Sequence, residues 1–158
     1  MLSKKMIARL FVLSFVLIVL TSTALFFSLS QSYQESIQAR FYYAMGDFQE
    51  ALHLSEEALK KDMYNKMAFT MKAQSKVSLE FIEYIDEAEA YLSEIESLAR
   101  DDVTKSTQIR VKMICEIMIE KYYKLNNNNF LIDDNLKSGA KILYLKFLEL
   151  YNDIVNRI

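Results

Sequence analysis

The apolar residues are distributed unevenly, and the distribution changes at about residue 30. Positions 10–29 hold 15 apolar residues out of 20 and no charge, and the other five are serine or threonine. At 1.5 Å per residue, twenty helical residues cover about 30 Å, which is the thickness of a bilayer hydrocarbon core. The pattern predicts a transmembrane helix over 10–29. A cleaved secretory signal is the alternative, although the apolar core of such signals runs only about 7 to 15 residues.

Charges on either side of this segment predict its orientation. Lys4, Lys5 and Arg9 precede it, and the first charge after it is Glu35. Because basic residues favour the cytoplasmic side, residues 1–9 are expected in the cytoplasm and residues from 30 onward across the membrane. For a bacterial cell, which the short anchor favours, we expect a single-pass inner-membrane protein with a periplasmic C-terminal domain.

Beyond residue 30, apolar residues recur at helical spacing, with a few local break signals between the runs. These signals are Gly46-Asp47, residues 62–65, Asp101-Asp102 and the Asn/Asp-rich stretch 126–135, with a weaker boundary near Tyr84. Nothing interrupts 29–42, so the membrane helix could continue into the first soluble helix. We predict an all-α fold in which the span precedes about six antiparallel helices, at 32–45, 48–61, 66–83, 85–99, 102–125 and 135–157.

Three apolar stripes predict how the later helices pack. We expect the stripe on 66–83 to face the stripe on 85–99, and the helix over 102–125 to bury a seam centred on Cys115. The three stripes are Phe69, Ala73, Val77 and Phe81; Ile85, Ala88, Leu92, Ile95 and Ala99; and Val111, Ile114, Cys115, Met118, Tyr122 and Leu125.

The amino-acid composition argues against several kinds of functional site. The chain has no proline and two glycines, which leaves little for tight β-turns or glycine-rich phosphate loops. Nineteen basic and 21 acidic side chains give a net charge of −2, so nucleic acid is not an expected partner. One cysteine and one histidine exclude an intramolecular disulfide and make a zinc site hard to assemble. No cofactor or metal is expected.

Residues 32–65 carry a helix–turn–helix pattern of small and aromatic residues. Gly46 can end the first helix in a left-handed conformation, and Asp47 with Glu50 can cap the second. The 34-residue stretch resembles a tetratricopeptide repeat. It departs from that family at Glu35, Gln38, Ser55 and Met63. The resemblance rests on Ala39, Tyr42, Gly46, Phe48, Ala51 and Ala58, which it assigns to packing within the repeat.

The resemblance also implies a domain organisation. Residues 66–99 are interpreted as a degenerate second repeat, so that 30–100 forms tetratricopeptide-like hairpins and 101–158 a C-terminal hairpin. Tetratricopeptide arrays bind other proteins, so we expect a non-enzymatic, membrane-anchored scaffold or adaptor. By analogy with other anchored repeat proteins it would be a structural subunit of an envelope assembly such as a flagellar motor or secretion system. The alternatives are a translocon-associated periplasmic chaperone and a secreted soluble binder.

The candidate catalytic residues are few. His53 lies on the predicted second helix beside Glu57 and Lys60, with no motif supplying a nucleophile and an orienting acid. Cys115 is interpreted as a small buried apolar residue. The sequence therefore predicts no enzymatic activity.

Two stretches are candidate partner-binding surfaces, either for other proteins of the complex or for a second copy of the chain. The last helix has an apolar sector of roughly 160°, wider than one neighbouring helix needs. Residues 80–96 hold seven acids and no base, which indicates a solvated face or a docking face for a basic partner. Their helical spacing lacks the pattern of a calcium loop. The partner-binding candidates are Tyr144, Leu148, Tyr151, Val155, Glu87 and Glu94.

Overall fold

The structure is a computed structural model that describes residues 4–100, 104–125 and 132–156, with the side chains of 4–8 and 27–29 excepted. Within these ranges the prediction of an all-α fold is confirmed, since no strand is present and six helices account for nearly every residue. The helices are α1 Lys4–Leu29, α2 Gln31–Ala44, α3 Phe48–Lys61, α4 Lys66–Arg100, α5 Lys105–Leu125 and α6 Asp134–Val155.

The N-terminal helix α1 is long and apolar enough to cross a membrane. Each side chain from Leu10 to Phe26 is exposed, and the hydroxyls of Thr21 and Thr23 donate to carbonyls one turn earlier. A helix of this length and composition at an N-terminus is typical of both a membrane span and a signal sequence.

The expected continuation of α1 into α2 is wrong, because the helix is interrupted at Ser30. Ser30 adopts an extended conformation with φ −82° and ψ 106°, and its carbonyl accepts the first hydrogen bonds of α2 from Tyr33 and Gln34. Serine is a preferred residue at a helix start, although the Ser30 hydroxyl makes no capping hydrogen bond here.

The α2–α3 hairpin turns at Gly46, whose φ of +85° is a left-handed conformation that favours glycine. The Asp47 carboxylate then accepts a hydrogen bond from the Glu50 amide and caps α3. Ala39, Ala51 and Ala58 are completely buried. Small side chains at these positions let the helices approach closely.

Helix α4 differs from the prediction, since one helix of 35 residues runs from Lys66 to Arg100. The predicted boundary near Tyr84 is wrong, because the segment has no glycine or proline and Asp86 alone does not end a helix. The stripes expected to face each other lie on one continuous helix, and Phe69 is 66% exposed. Within the described ranges five helices therefore follow α1, and 66–99 is not a hairpin.

The chain divides into two compact units, Met1–Lys72 and Ala73–Ile158. The first contains α1, α2, α3 and the beginning of α4, and the second contains the rest of α4 with α5 and α6. In the second unit four residues of the predicted seam on α5 are buried, with Cys115 and Met118 fully enclosed beside Phe147, and Tyr122 and Leu125 are partly buried.

Candidate functional site

The two candidate catalytic residues, His53 and Cys115, belong to different units. His53 is exposed on α3 in the first unit, whereas Cys115 is fully buried on α5 in the second. Burial raises the pKa of the Cys115 thiol to about 11, which leaves it protonated and unreactive at neutral pH. Over the described ranges, no three His, Cys, Asp or Glu side chains converge to hold a metal ion.

A buried polar cluster joins three helices of the first unit. The Asn65 side-chain NH₂ donates to the hydroxyls of Ser32 (2.9 Å) and Ser36 (3.0 Å) on α2. Its Oδ1 accepts from the amides of Met67 and Ala68, which caps α4, while the Ser32 hydroxyl donates to the Ala58 carbonyl on α3. From the sequence, Asn65 is predicted only to lie in a helix break at 62–65, because partners 29 and 33 residues away leave no local pattern.

The side of α2 that faces away from this cluster carries three exposed apolar residues beside the exposed Gln34 and Gln38. Ile37, Phe41 and Met45 are 53%, 61% and 67% exposed, and at four-residue spacing they form one stripe, which we name the α2 outer face. At 100° per residue, Ile37 and Phe41 lie on the opposite side of the helix from buried Ala39. Throughout α2, Arg40 is the one exposed charged side chain. The stripe starts about two helical turns after α1 ends.

The three residues of the α2 outer face are not among the binding residues that the sequence predicted. The six repeat-packing residues belong to the same hairpin: Ala39, Phe48, Ala51 and Ala58 are buried, Tyr42 is half-buried and Gly46 forms the turn. The α2 outer face itself was missed, although Ile37, Phe41 and Met45 recur at helical spacing. The residues that resemble the tetratricopeptide pattern and those of the α2 outer face lie on different sides of the same helix.

The candidate partner-binding residues on α6 are partly engaged inside the second unit. Tyr144 stacks on Tyr122 with ring centroids 4.3 Å apart, and its hydroxyl is 2.9 Å from that of Tyr123. Leu148 is half-buried, Tyr151 packs against the core, and Val155 is 45% exposed. Much of the wide apolar sector is therefore covered by α4 and α5, and the more exposed apolar residues of α6 are Ile142, Leu145 and Val155.

The acidic candidates on α4 already have cationic partners on α5. Glu87 pairs with Lys121, and Glu94 pairs with Arg110 at 2.7 Å. Other acids of the same run, Glu80 and Glu83 among them, have no ion pair with any residue that the structure describes.

These unpaired acids belong to a cleft of about 250 Å³ between α4 and α5, which we name the α4–α5 cleft. Tyr84 also lines it, is only 3% exposed, and has a hydroxyl with no hydrogen-bond partner in the described part of the chain. Burial and the neighbouring Tyr122 and Tyr144 raise the pKa of Tyr84, so the phenol stays protonated. The residues lining the cleft are Glu80, Glu83, Tyr84, Glu87, Lys121, Lys124 and Leu125.

A second cavity, of about 260 Å³, lies where α4 ends and α5 begins. It is lined mainly by aliphatic side chains, among them Ile95, Leu98, Val111 and Ile154, with Gln108 and Asp153 as polar neighbours. Its chemistry suits an apolar group, and it contains no arrangement of acid, base and nucleophile.

The chain matches no protein-family model, no curated protein and no solved structure. Any function is therefore argued from the residues and their arrangement.

Proposed function

We propose that the chain is a non-enzymatic, membrane-anchored adaptor that binds other proteins of a cell-envelope assembly through its first unit. The observation that carries this proposal is the α2 outer face. A helix packed on one side normally presents polar residues on the other, whereas Ile37, Phe41 and Met45 are apolar and more than half exposed. Contiguous exposed apolar surface on a folded domain is typical of a protein interface.

The proposed anchor is the span 10–29, with residues 1–9 in the cytoplasm. The basic residues Lys4, Lys5 and Arg9 before the span, and the first later charge at Glu35, support that orientation. In a bacterial cell this would place both soluble units in the periplasm. The α2 outer face would then lie close to the membrane, where other membrane-embedded subunits are within reach.

The likeness of 32–65 to a tetratricopeptide repeat supports a binding role. The left-handed Gly46, the Asp47 cap and the buried alanines at 39, 51 and 58 are the features on which it rests. Isolated repeats of this kind expose apolar surface that neighbours normally cover, and fewer than three repeats are rarely stable alone. The proposed partner would take the place of a neighbouring repeat. A structural subunit of a flagellar motor or secretion system is the role we favour.

The test is to place charge on the α2 outer face of the full-length protein in its own cells. Ile37→Asp with Phe41→Asp puts two carboxylates where a partner would exclude water, which strongly opposes binding. Gln49→Asp with His53→Asp adds two carboxylates at exposed positions on α3 and is the matched control. We expect the detergent-solubilised parent and control to migrate in a large complex on native gels, and the α2 variant to migrate as the free chain.

Both variants alter exposed positions, so circular dichroism should show unchanged helicity. Migration of the α2 variant in the same complex as the parent contradicts the proposal. Intact-mass measurement of the same preparations tests the anchor separately, since cleavage of a signal would remove the first 24 to 30 residues.

A further inference from the structure

The outward side of α5, in the second unit, carries its own stripe of exposed apolar residues. Ile109, Met113 and Ile117 are 49%, 55% and 43% exposed, and their spacing of four residues places them along one side of the helix. At 100° per residue, Met113 lies about 160° from Val111 and from Cys115. Both of those residues are buried in the core of the second unit, so the stripe faces away from it. We name these three residues the α5 outer face.

The charges along one edge of this face are divided between the two ends of the helix. Lys105 and Lys112 lie toward the start of α5, and Glu116 and Glu120 lie toward its end. This edge is the one toward α6, since the Lys112 ammonium is 6.0 Å from the ring centre of Tyr151. When two copies of such a helix run antiparallel, the basic half of each meets the acidic half of the other.

The charges along the opposite edge are already neutralised within the chain. Arg110 pairs with Glu94 at 2.7 Å, and Lys121 pairs with Glu87. By contrast, Lys105 has no ion pair with any described residue. The unsatisfied charge that could recognise a partner is therefore on the α6 side of the stripe.

We propose that the second unit pairs with a second copy of the chain through the α5 outer face, with the two α5 helices antiparallel about a two-fold axis at Met113. Met113 contacts its own counterpart, and Ile109 contacts Ile117 of the partner subunit. Lys112 lies beside Glu116 of the partner subunit. Ridges of residues at four-residue spacing interdigitate in the commonest class of helix packing, and two-fold dimers are the commonest closed assemblies.

The order of the charges is what favours a second copy over an unrelated protein. Lys105 is eight residues before Met113 and Glu120 is seven residues after it, so each meets the other across an antiparallel pair. An unrelated partner imposes no such relation on the charges of this helix. The α5 outer face does not depend on the α2 outer face, so either proposal can fail alone. The free chain expected of the α2 variant would then be a pair of copies.

Single cysteine substitutions test this geometry in the full-length protein in detergent. The native Cys115 is fully buried and should not react. Met113→Cys should form a disulfide with its counterpart on mild oxidation. Ile109→Cys and Ile117→Cys should each fail alone, because a residue four positions from the axis lies about 12 Å from its own counterpart along the helices, and a disulfide needs Cα atoms within about 7 Å. The two variants co-expressed with different tags should crosslink to each other. Lys146→Cys, at an exposed position on α6, is the matched control and should remain uncrosslinked.

Three results of the crosslinking would overturn the proposal. Absence of a disulfide in Met113→Cys removes its central contact. Equal crosslinking of Lys146→Cys would show that random collisions account for the signal. Oxidation in intact cells that joins Met113→Cys to a chain of another mass would show that a different protein covers the face.

Charge reversal tests the pairing along the edge. Lys112→Glu places like charges opposite each other twice in the dimer and should weaken dimerisation by about fivefold or more, measured by analytical ultracentrifugation on dilution. Addition of Glu116→Lys to that variant should restore dimerisation, because the pair is then reversed and again complementary. Lys141→Glu makes the same change of charge at an exposed position on α6 and should have no effect. Equal weakening by Lys141→Glu, or no restoration in the double variant, contradicts the antiparallel pairing.

Discussion

Replacement of Asn65 by alanine tests the polar cluster that holds the first unit together. Asn65 is fully buried and makes four hydrogen bonds, two from its NH₂ to serines on α2 and two to its Oδ1 from amides at the start of α4. Alanine removes all four. The serine hydroxyls keep other acceptors, since Ser32 donates to Ala58 and Ser36 to Ser32.

The magnitude follows from these contacts. Loss of an N-cap costs about 1 kcal/mol. Each of the two buried bonds from the NH₂ group contributes about 1 kcal/mol. Because the serines are not left as unpaired donors, we add no further penalty and expect Asn65→Ala to destabilise the first unit by about 3 kcal/mol. That change corresponds to roughly a hundredfold loss of protection against amide exchange, if exchange follows opening of the unit.

Hydrogen exchange with mass spectrometry, applied to the full-length protein in detergent, resolves the effect by region. Peptides from 31–72 should lose protection, and those from α5 and α6 should not. The control is Asp133→Ala, which removes the exposed cap of α6, a single bond of 2.7 Å to the Asn135 amide, and costs about 1 kcal/mol. A loss in Asn65→Ala no greater than in this control would refute the reasoning, because the buried bonds would then contribute nothing.

Two further substitutions should change stability in a stated direction, and one labelling experiment has an expected outcome. Gly46→Ala should destabilise the first unit by about 1 kcal/mol in urea titration, through its φ of +85° alone, since an added Cβ meets nothing within 4 Å. Tyr84→Phe should raise the thermal midpoint by stabilising the second unit about 1 kcal/mol, whereas Tyr123→Phe, which breaks the 2.9 Å contact with Tyr144, should not. Cys115 should resist iodoacetamide at neutral pH, because it is fully buried and burial raises its pKa, and unfolding in urea should restore rapid alkylation.

The helices that the sequence predicted well have strong local end signals. The predicted 48–61 coincides with α3, because Asp47 caps its start and Asp62 departs from helical geometry at its end. The predicted 32–45 lies within one residue of α2, where Gly46 supplies the turn. At these points the local conformational preference and the hydrophobic period agree, so the sequence is sufficient.

The error in α4 arises where the period of the apolar residues shifts without a residue that ends a helix. The stripes of 66–83 and 85–99 suggested two helices, yet a helix packed against different neighbours along its length can change its buried side. Nothing between Lys66 and Arg100 opposes continuation. The candidate sites were harder to predict from the sequence than the helix boundaries. The Asn65 cluster and the α4–α5 cleft each depend on residues about 30 or more positions apart, and such pairings follow only from the packed fold.

The two units differ in the size of the side chains that form their buried positions, and this difference concerns where a protein partner binds. In the second unit the large side chains Phe81, Met118 and Phe147 are inside. In the first unit the buried positions are mostly alanine and serine, together with Asn65, while Ile37, Phe41 and Phe69 are exposed.

Alanine packing and a polar cluster specify close approach of helices in the first unit. They remove little apolar surface from water, so hydrophobic stabilisation is modest there. A partner that covers the α2 outer face would supply the missing burial and stabilise the first unit by mass action. The α2 outer face, which we propose as the interface, is thus apolar surface that a bound partner would remove from water.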